Sequence, residues 1–200
     1  MSGRALKGGL ANANLARRSL ATAARAGLRR PNVGVAGATG AVGIEMRKKL
    51  LDRNFPVDNV RFFAHPSEEG TPLEFGGRTI ACEAVNERSF DDLDICLFSA
   101  GGGFSKEWAP KAAAAGCIVV DNSSEFRMDP KCPLIVPEVN AHAVKGHKGI
   151  IANPNCTTMY ACPPLRADTD PTSARHVACS VAQREPNGRF LGGCARVRTA

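Results

Sequence analysis

From Asn32 onward, short apolar runs alternate with glycine-rich turns and stretches of helical spacing. Val33 to Ala36 predicts a buried strand, because an uninterrupted apolar run between turn residues offers both of its sides to a core. Ala41 to Leu51 predicts a helix that turns Ile44, Leu50 and Leu51 inward and its charges outward. Val60 to Ala64 predicts a second strand, and Leu73 to Phe75 pairs with Thr79 to Val85 across Gly76-Gly77. Further buried strands follow at Asp94 to Ser99 and Cys117 to Val120, with a helix from about Ser105 to Ala115 between them. Leu134 to Val136 and Gly149 to Ala152 read as short strands. Strands alternating with helices predict an α/β protein: a doubly wound, mostly parallel sheet covered on both faces.

The pattern stops near Met159. Beyond it lysine is absent, every basic residue apart from His176 is Arg, and Pro and Gly break any long periodicity. Residues 160–200 are expected to form an irregular tail. The net charge of +7 also has a location. Residues 1–32 hold seven Lys or Arg and no acid, while the remainder carries 19 basic and 19 acidic residues. A neutral body lacks the basic face that nucleic-acid phosphates require, so nucleic acid is not an expected partner. Residues 1–31, rich in Ala and Arg and free of acid, have the composition of an organelle transit peptide, with a plastid as the expected destination and a mitochondrion as the alternative. No apolar run is long enough to span a membrane. The eight cysteines form no C-x-x-C pair and offer no four-ligand spacing, so no metal site is expected and the cysteines read as those of a reducing compartment.

Chemistry enters at two places. Gly37-Ala38-Thr39-Gly40-Ala41-Val42-Gly43 lies directly after a strand and opens a helix. Residues without Cβ let backbone N–H groups approach a pyrophosphate, and the helix presents its positive end to that anion, so a dinucleotide is the expected ligand of a Rossmann-like domain. The second strand ends at Ala64 with no acid immediately after it. His65 and Ser67 can both donate to a 2′-phosphate, which favours NADP over NAD, although Glu68 and Glu69 stand close by. The second place is Cys156, which follows Asn153-Pro154-Asn155. Pro154 keeps Asn153 out of the helical region, which makes a sharp strand-to-helix turn. A cysteine in the first turn of a helix has its thiolate stabilised by free N–H groups, and a thiolate attacks aldehydes and acyl phosphates. Cys162, Cys179 and Cys194 lack this context.

Five ordered motifs carry a resemblance: the glycine turn; Ser99-Ala100-Gly101-Gly102; Asp121-Asn122-Ser123-Ser124-Glu125-Phe126-Arg127; Val136-Pro137-Glu138-Val139-Asn140; and Asn153-Pro154-Asn155-Cys156-Thr157-Thr158. Over residues 32–159 the chain resembles the aspartate-semialdehyde dehydrogenase family. The resemblance implies NADPH-dependent reductive dephosphorylation of L-4-aspartyl phosphate to L-aspartate 4-semialdehyde, a step toward lysine, threonine, methionine and isoleucine. It implies that Cys156 is the acylated nucleophile, that Arg127 grips the substrate phosphate as a guanidinium fork does, and that Asn122 stands near that phosphate. It also implies that Ser99, Ala100, Gly101 and Gly102 line the cofactor.

The family places its glutamine-containing segment, its substrate arginine and its histidine base after the cysteine, and residues 160–200 match none of these. His176, the sole histidine there, has no matching surroundings. The tail reads as a frame-shifted or mis-spliced continuation, or as a divergent one, in place of the substrate and dimerisation domain. The family is homodimeric through that domain. The 200-residue chain is therefore expected to be inactive and not to dimerise as the family does. The rival enzyme reading is an N-acetyl-γ-glutamyl-phosphate reductase, disfavoured by Asn155-Cys156-Thr157-Thr158. The non-enzymatic readings are a non-catalytic NADP-binding fragment and a redox-sensing cysteine protein.

Overall fold

A computed structural model of the chain describes residues 30–157 and Met159. The leader through residue 29, Thr158 and residues 160–200, with Cys162, His176, Cys179 and Cys194, lie outside the described residues.

Seven strands form one sheet, β1 (Val33–Ala36), β2 (Val60–Ala64), β3 (Pro72–Phe75), β4 (Arg78–Ala84), β5 (Ile95–Phe98), β6 (Ile118–Asp121) and β7 (Ile150–Ala152), in the order β3-β4-β2-β1-β5-β6-β7. All pairings are parallel except β3 with β4, the hairpin expected around Gly76-Gly77. Helix α1 (Ala41–Asp52) links β1 to β2, and helix α2 (Gly102–Ala114) links β5 to β6. The chain leaves β1 toward one side of the sheet and returns at β5 on the other. The gap between β1 and β5 is therefore the topological switch point at which this architecture opens a crevice.

Alternation along each strand sorts the core into two layers. On the α2 side, Ala36, Phe63, Cys96, Phe98, Val119 and Ile150 pack with Phe90, Ala109 and Ala112. On the α1 side, Val35, Val60, Phe62, Ala64, Phe75 and Cys82 pack with the half-buried Met46, Leu50 and Leu97. Helix α1 uses Gly43, Met46 and Leu50, an i, i+3, i+7 stripe, as its inner face. Leu51, expected inside, is 41% exposed because it follows Leu50 by about 100° around the helix.

Other expectations need correction. Helix α2 begins at Gly102, earlier than the predicted Ser105, because Gly101 at φ +92° takes a backbone conformation closed to most side chains and starts the helix inside the glycine run. Leu134 to Val136 is not a strand; it makes a single parallel bridge, Leu134 to Ala152, before a short helix α3 (Pro137–Asn140) and a 3-10 segment (Ala141–Gly146). Among the described residues, burial on both faces of the sheet is most complete at β1 and β2. In β5, β6 and β7 the α1-side residues Ile95, Leu97, Ile118, Val120 and Ile151 remain half-buried.

Candidate functional site

The parallel register sets the carboxyl ends of the strands level. Ala36 is the partner of Phe98, Phe98 of Asp121, and Asp121 of Ala152. Each of these residues ends its strand and hands the chain to a segment singled out from the sequence: Gly37–Gly43 after β1, Ser99–Gly102 after β5, Asn122–Arg127 after β6 and Asn153–Cys156 after β7. His65 and Ser67 follow β2 at the same edge. Backbone bonds stitch the loop origins together: Ser99 N donates to Ala36 O (2.9 Å), Asn122 N to Phe98 O (2.9 Å) and Asn153 N to Asp121 O (2.8 Å).

The glycine turn is closed by Gly37 N and Ala38 N, which both donate to Phe63 O at 2.8 and 3.1 Å. Gly37 sits at φ +80°, and a Cβ there would lie 2.4 Å from Ser99 O. A Cβ on Gly43 would stand 2.1 Å from Gly37 O, so α1 can approach β1 this closely only with glycine at that position. Thr39, Gly40, Ala41 and Val42 form the outer rim, while Ala38 is fully buried beneath it. Gly40 provides no side-chain cap and the first turn of α1 holds no acid; the same is true of Gly101 and α2. Both helix starts carry unpaired N–H groups and positive potential toward the edge. A Cβ on Gly101 would meet nothing within 4 Å. Such a cradle suits a pyrophosphate, and the open space over Gly101 and the exposed Ala100 suits the rest of an extended dinucleotide.

Across the switch point the residues are linked by side chains. Arg127 Nε donates to Asn153 O and its Nη2 to Asn122 O, both at 2.9 Å, and Asn153 Nδ2 donates to Asn122 Oδ1 at 2.8 Å. Burial of the guanidinium lowers its pKa, opposed by the negative charge of Asp121. With two nitrogens held by carbonyls, the third, Nη1, makes no hydrogen bond among the described residues. Beneath this cluster Asp121 is fully buried. Its Oδ1 accepts from Ser105 Oγ (2.7 Å) and Ser123 N (3.0 Å), and its Oδ2 from Ser123 Oγ (2.7 Å). These three bonds offset the cost of burying a carboxylate and fix the Asn122–Ser124 loop to α2. The sequence motifs contain Asp121 and Asn153 but gave neither side chain a role. An acid closing the apolar strand Ile118–Asp121, and an asparagine directly before Pro154, were the available signals.

Cys156 is exposed. Asn155 caps the turn it begins: Asn155 Oδ1 accepts from Thr157 N at 3.0 Å, and Asn155 O from Met159 N at 3.2 Å. The Cys156 thiol also faces Asn155 Oδ1 at 3.5 Å. β7 lies three strands from β1, roughly 14 Å across the edge. Of the other described cysteines, Cys82, Cys96 and Cys117 are buried, and burial pushes the Cys117 thiol up to about 12 and Cys96 well above its ordinary value. Among the described residues no group of three or more His, Cys, Asp or Glu could hold a metal, and no helix is long and apolar enough to cross a membrane.

Residues 32–147 match the family described as semialdehyde dehydrogenase, NAD binding domain. Among curated relatives, an aspartate-semialdehyde dehydrogenase of Aquifex aeolicus is 49% identical over 154 residues, covering 76% of this chain and 45% of that protein. The Corynebacterium glutamicum counterpart is 54% identical over 138 residues, covering 67% and 40%. Among solved structures, aspartate semialdehyde dehydrogenase II of Vibrio cholerae, complexed with ASA, matches with TM-score 0.66 and 44% identity over 70% of this chain and 47% of that one. The Candida albicans enzyme with NADP matches with TM-score 0.56 and 25% identity, covering 68% and 45%. The chain thus spans less than half the length of these relatives.

Proposed function

The chain belongs to the semialdehyde dehydrogenase family, through its NAD-binding domain, and from that premise we propose that it is the cofactor-binding part of an aspartate-semialdehyde dehydrogenase. The single observation that carries the reading is the level row of strand ends, which puts the glycine turn, the Arg127 cluster and Cys156 along one edge. NADP is the proposed cofactor, held by Gly37 to Gly43 and lined by Ser99 to Gly102 and by the loop of His65 and Ser67. When bound as NADPH it supplies hydride.

The residues of the chain supply the rest. The Cys156 thiolate attacks the carbonyl carbon of the acyl phosphate, phosphate leaves, and a thioester to Sγ remains. Arg127 takes the departing phosphate on its open Nη1, pre-aligned by the two carbonyls that grip Nε and Nη2. Asn122 and Asn153 hold that guanidinium and the loop of the nucleophile in one rigid unit. Asn155 keeps the turn of Cys156 capped. Among the described residues no histidine stands beside Cys156 as a base: His65 follows β2, and His142 and His147 lie on the segment leading into the opposite end of β7.

The test is titration of NADPH into the 200-residue chain, followed by addition of aspartate semialdehyde, phosphate and NADP. Saturable NADPH binding without steady NADP reduction is expected. Absence of dinucleotide binding would overturn the reading; near-normal turnover would overturn the expectation that the 200-residue chain is inactive.

A further inference from the structure

The rim of the glycine turn carries a contact that the sequence did not foretell. Thr39 Oγ1 donates to Glu68 Oε2 at 3.0 Å, across 29 positions of sequence. Glu68 ends the 3-10 turn Pro66–Glu68, whose shape is held by His65. Glu68 N donates to His65 O at 2.8 Å, Ser67 N to His65 Nδ1 at 3.3 Å, and Ser67 Oγ lies 2.8 Å from the same nitrogen. Nδ1 thus faces both the Ser67 N–H and the Ser67 hydroxyl, which is engaged inside its own loop. Of the two donors expected for a 2′-phosphate, one is turned inward, and a carboxylate stands beside them. Residues 65–71 contain no Lys or Arg, and among the described residues none pairs with Glu68.

In this architecture the end of the second strand faces the adenosine ribose. A carboxylate there accepts from ribose hydroxyls and repels a phosphate on the 2′ position. Resting on the dinucleotide reading above, we propose that Glu68, fixed at the mouth of the glycine turn by Thr39, sets the cofactor choice of this chain: it weakens the hold on a 2′-phosphate and admits NAD as a second cofactor. The main chain of residues 37–43 serves both dinucleotides alike, so discrimination falls to the loop after β2.

The experiment is fluorescence titration of NADPH and NADH into the full 200-residue chain and its Glu68→Gln variant. Glutamine keeps a carbonyl oxygen for Thr39 and removes only the charge. The unmodified chain is expected to bind both dinucleotides, with dissociation constants within about tenfold of each other. Glu68→Gln is expected to bind NADPH on the order of tenfold more tightly, the scale of relieving one adjacent like charge, and NADH no more tightly than before. An unchanged ratio in the variant, or NADPH binding with no detectable NADH binding by the unmodified chain, would overturn this inference and leave the dinucleotide reading standing. No binding of either would remove both.

Discussion

In β1 every residue from Val33 to Ala36 is buried, and in β2 all but Arg61 are. In β5 and β6 every second residue stays half-exposed on the α1 side, as does Ile151 in β7. β1 and β2 carry the glycine turn and are packed by α1 on one side and by Phe90, Ala109 and Ala112 on the other. The second half of the sheet carries Arg127, Asn153 and Cys156, and its strands are fully buried on the α2 side alone. On the proposed function, the contrast teaches that dinucleotide binding and acyl chemistry differ in what they ask of the fold. A phosphate cradle needs one strand, one turn and one helix packed tightly together. A nucleophile and a phosphate clamp need several strand ends held level, and their rigidity depends on burying the sheet that bears them.

The largest expected difference separates the sulfurs. With native chain at pH 7.5 and iodoacetamide, mass spectrometry should find Cys156 labelled while Cys96 and Cys117 on the α2 face are spared. A thiol raised to about 12 stays protonated until the pH climbs toward that value, so at neutral pH Cys117 holds on the order of a thousandfold less thiolate than an ordinary cysteine. Comparable labelling of Cys117 and Cys156 would show that the covered face is open. Next comes the core. Phe98→Ala removes a ring packed 5.3 Å from Phe104 and 5.9 Å from Phe90, centroid to centroid. It should lower unfolding stability by about 3–5 kcal/mol in urea melts.

In the doubly covered half, Gly43→Ala forces a methyl against Gly37 O and should cost about 1–3 kcal/mol and abolish NADPH binding. Binding that survives at full strength would separate the turn from the ligand. The smallest effect belongs to Leu97→Ala on the half-exposed stripe, about 1 kcal/mol. A loss equal to that of Phe98→Ala would mean that this stripe is as well packed as the other face.

The strands β1, β2, β5, β6 and β7 were legible because each is a short, mostly apolar run between turns, and β1 and β2 stand where the pattern put them. The hairpin was legible from Gly76-Gly77. Edges of elements were harder: a glycine run says that the chain turns, not where the helix starts, and hydrophobicity alone did not tell Leu50 from its neighbour Leu51. The segments of the site were legible as motifs. Their shared edge came from strand order and register, which no local pattern contains. The support of the site was least visible. Asp121 reads as a polar residue closing a strand, and only the fold brings Ser105 and Ser123 to it. Glu68 reads as a solvated acid until Thr39 is found beside it.

The shared register of Ala36, Phe98, Asp121 and Ala152 has a bearing on how such a chain can vary. Adding or deleting one residue in any of these strands would lift its loop by about 3.3 Å and send its side chains through to the other layer. Length changes are therefore expected to gather at the hairpin tip and at the amino-terminal ends of the strands, where connections can grow without tilting the platform. The four strands act as posts cut to one height, and that height is what inheritance has to preserve.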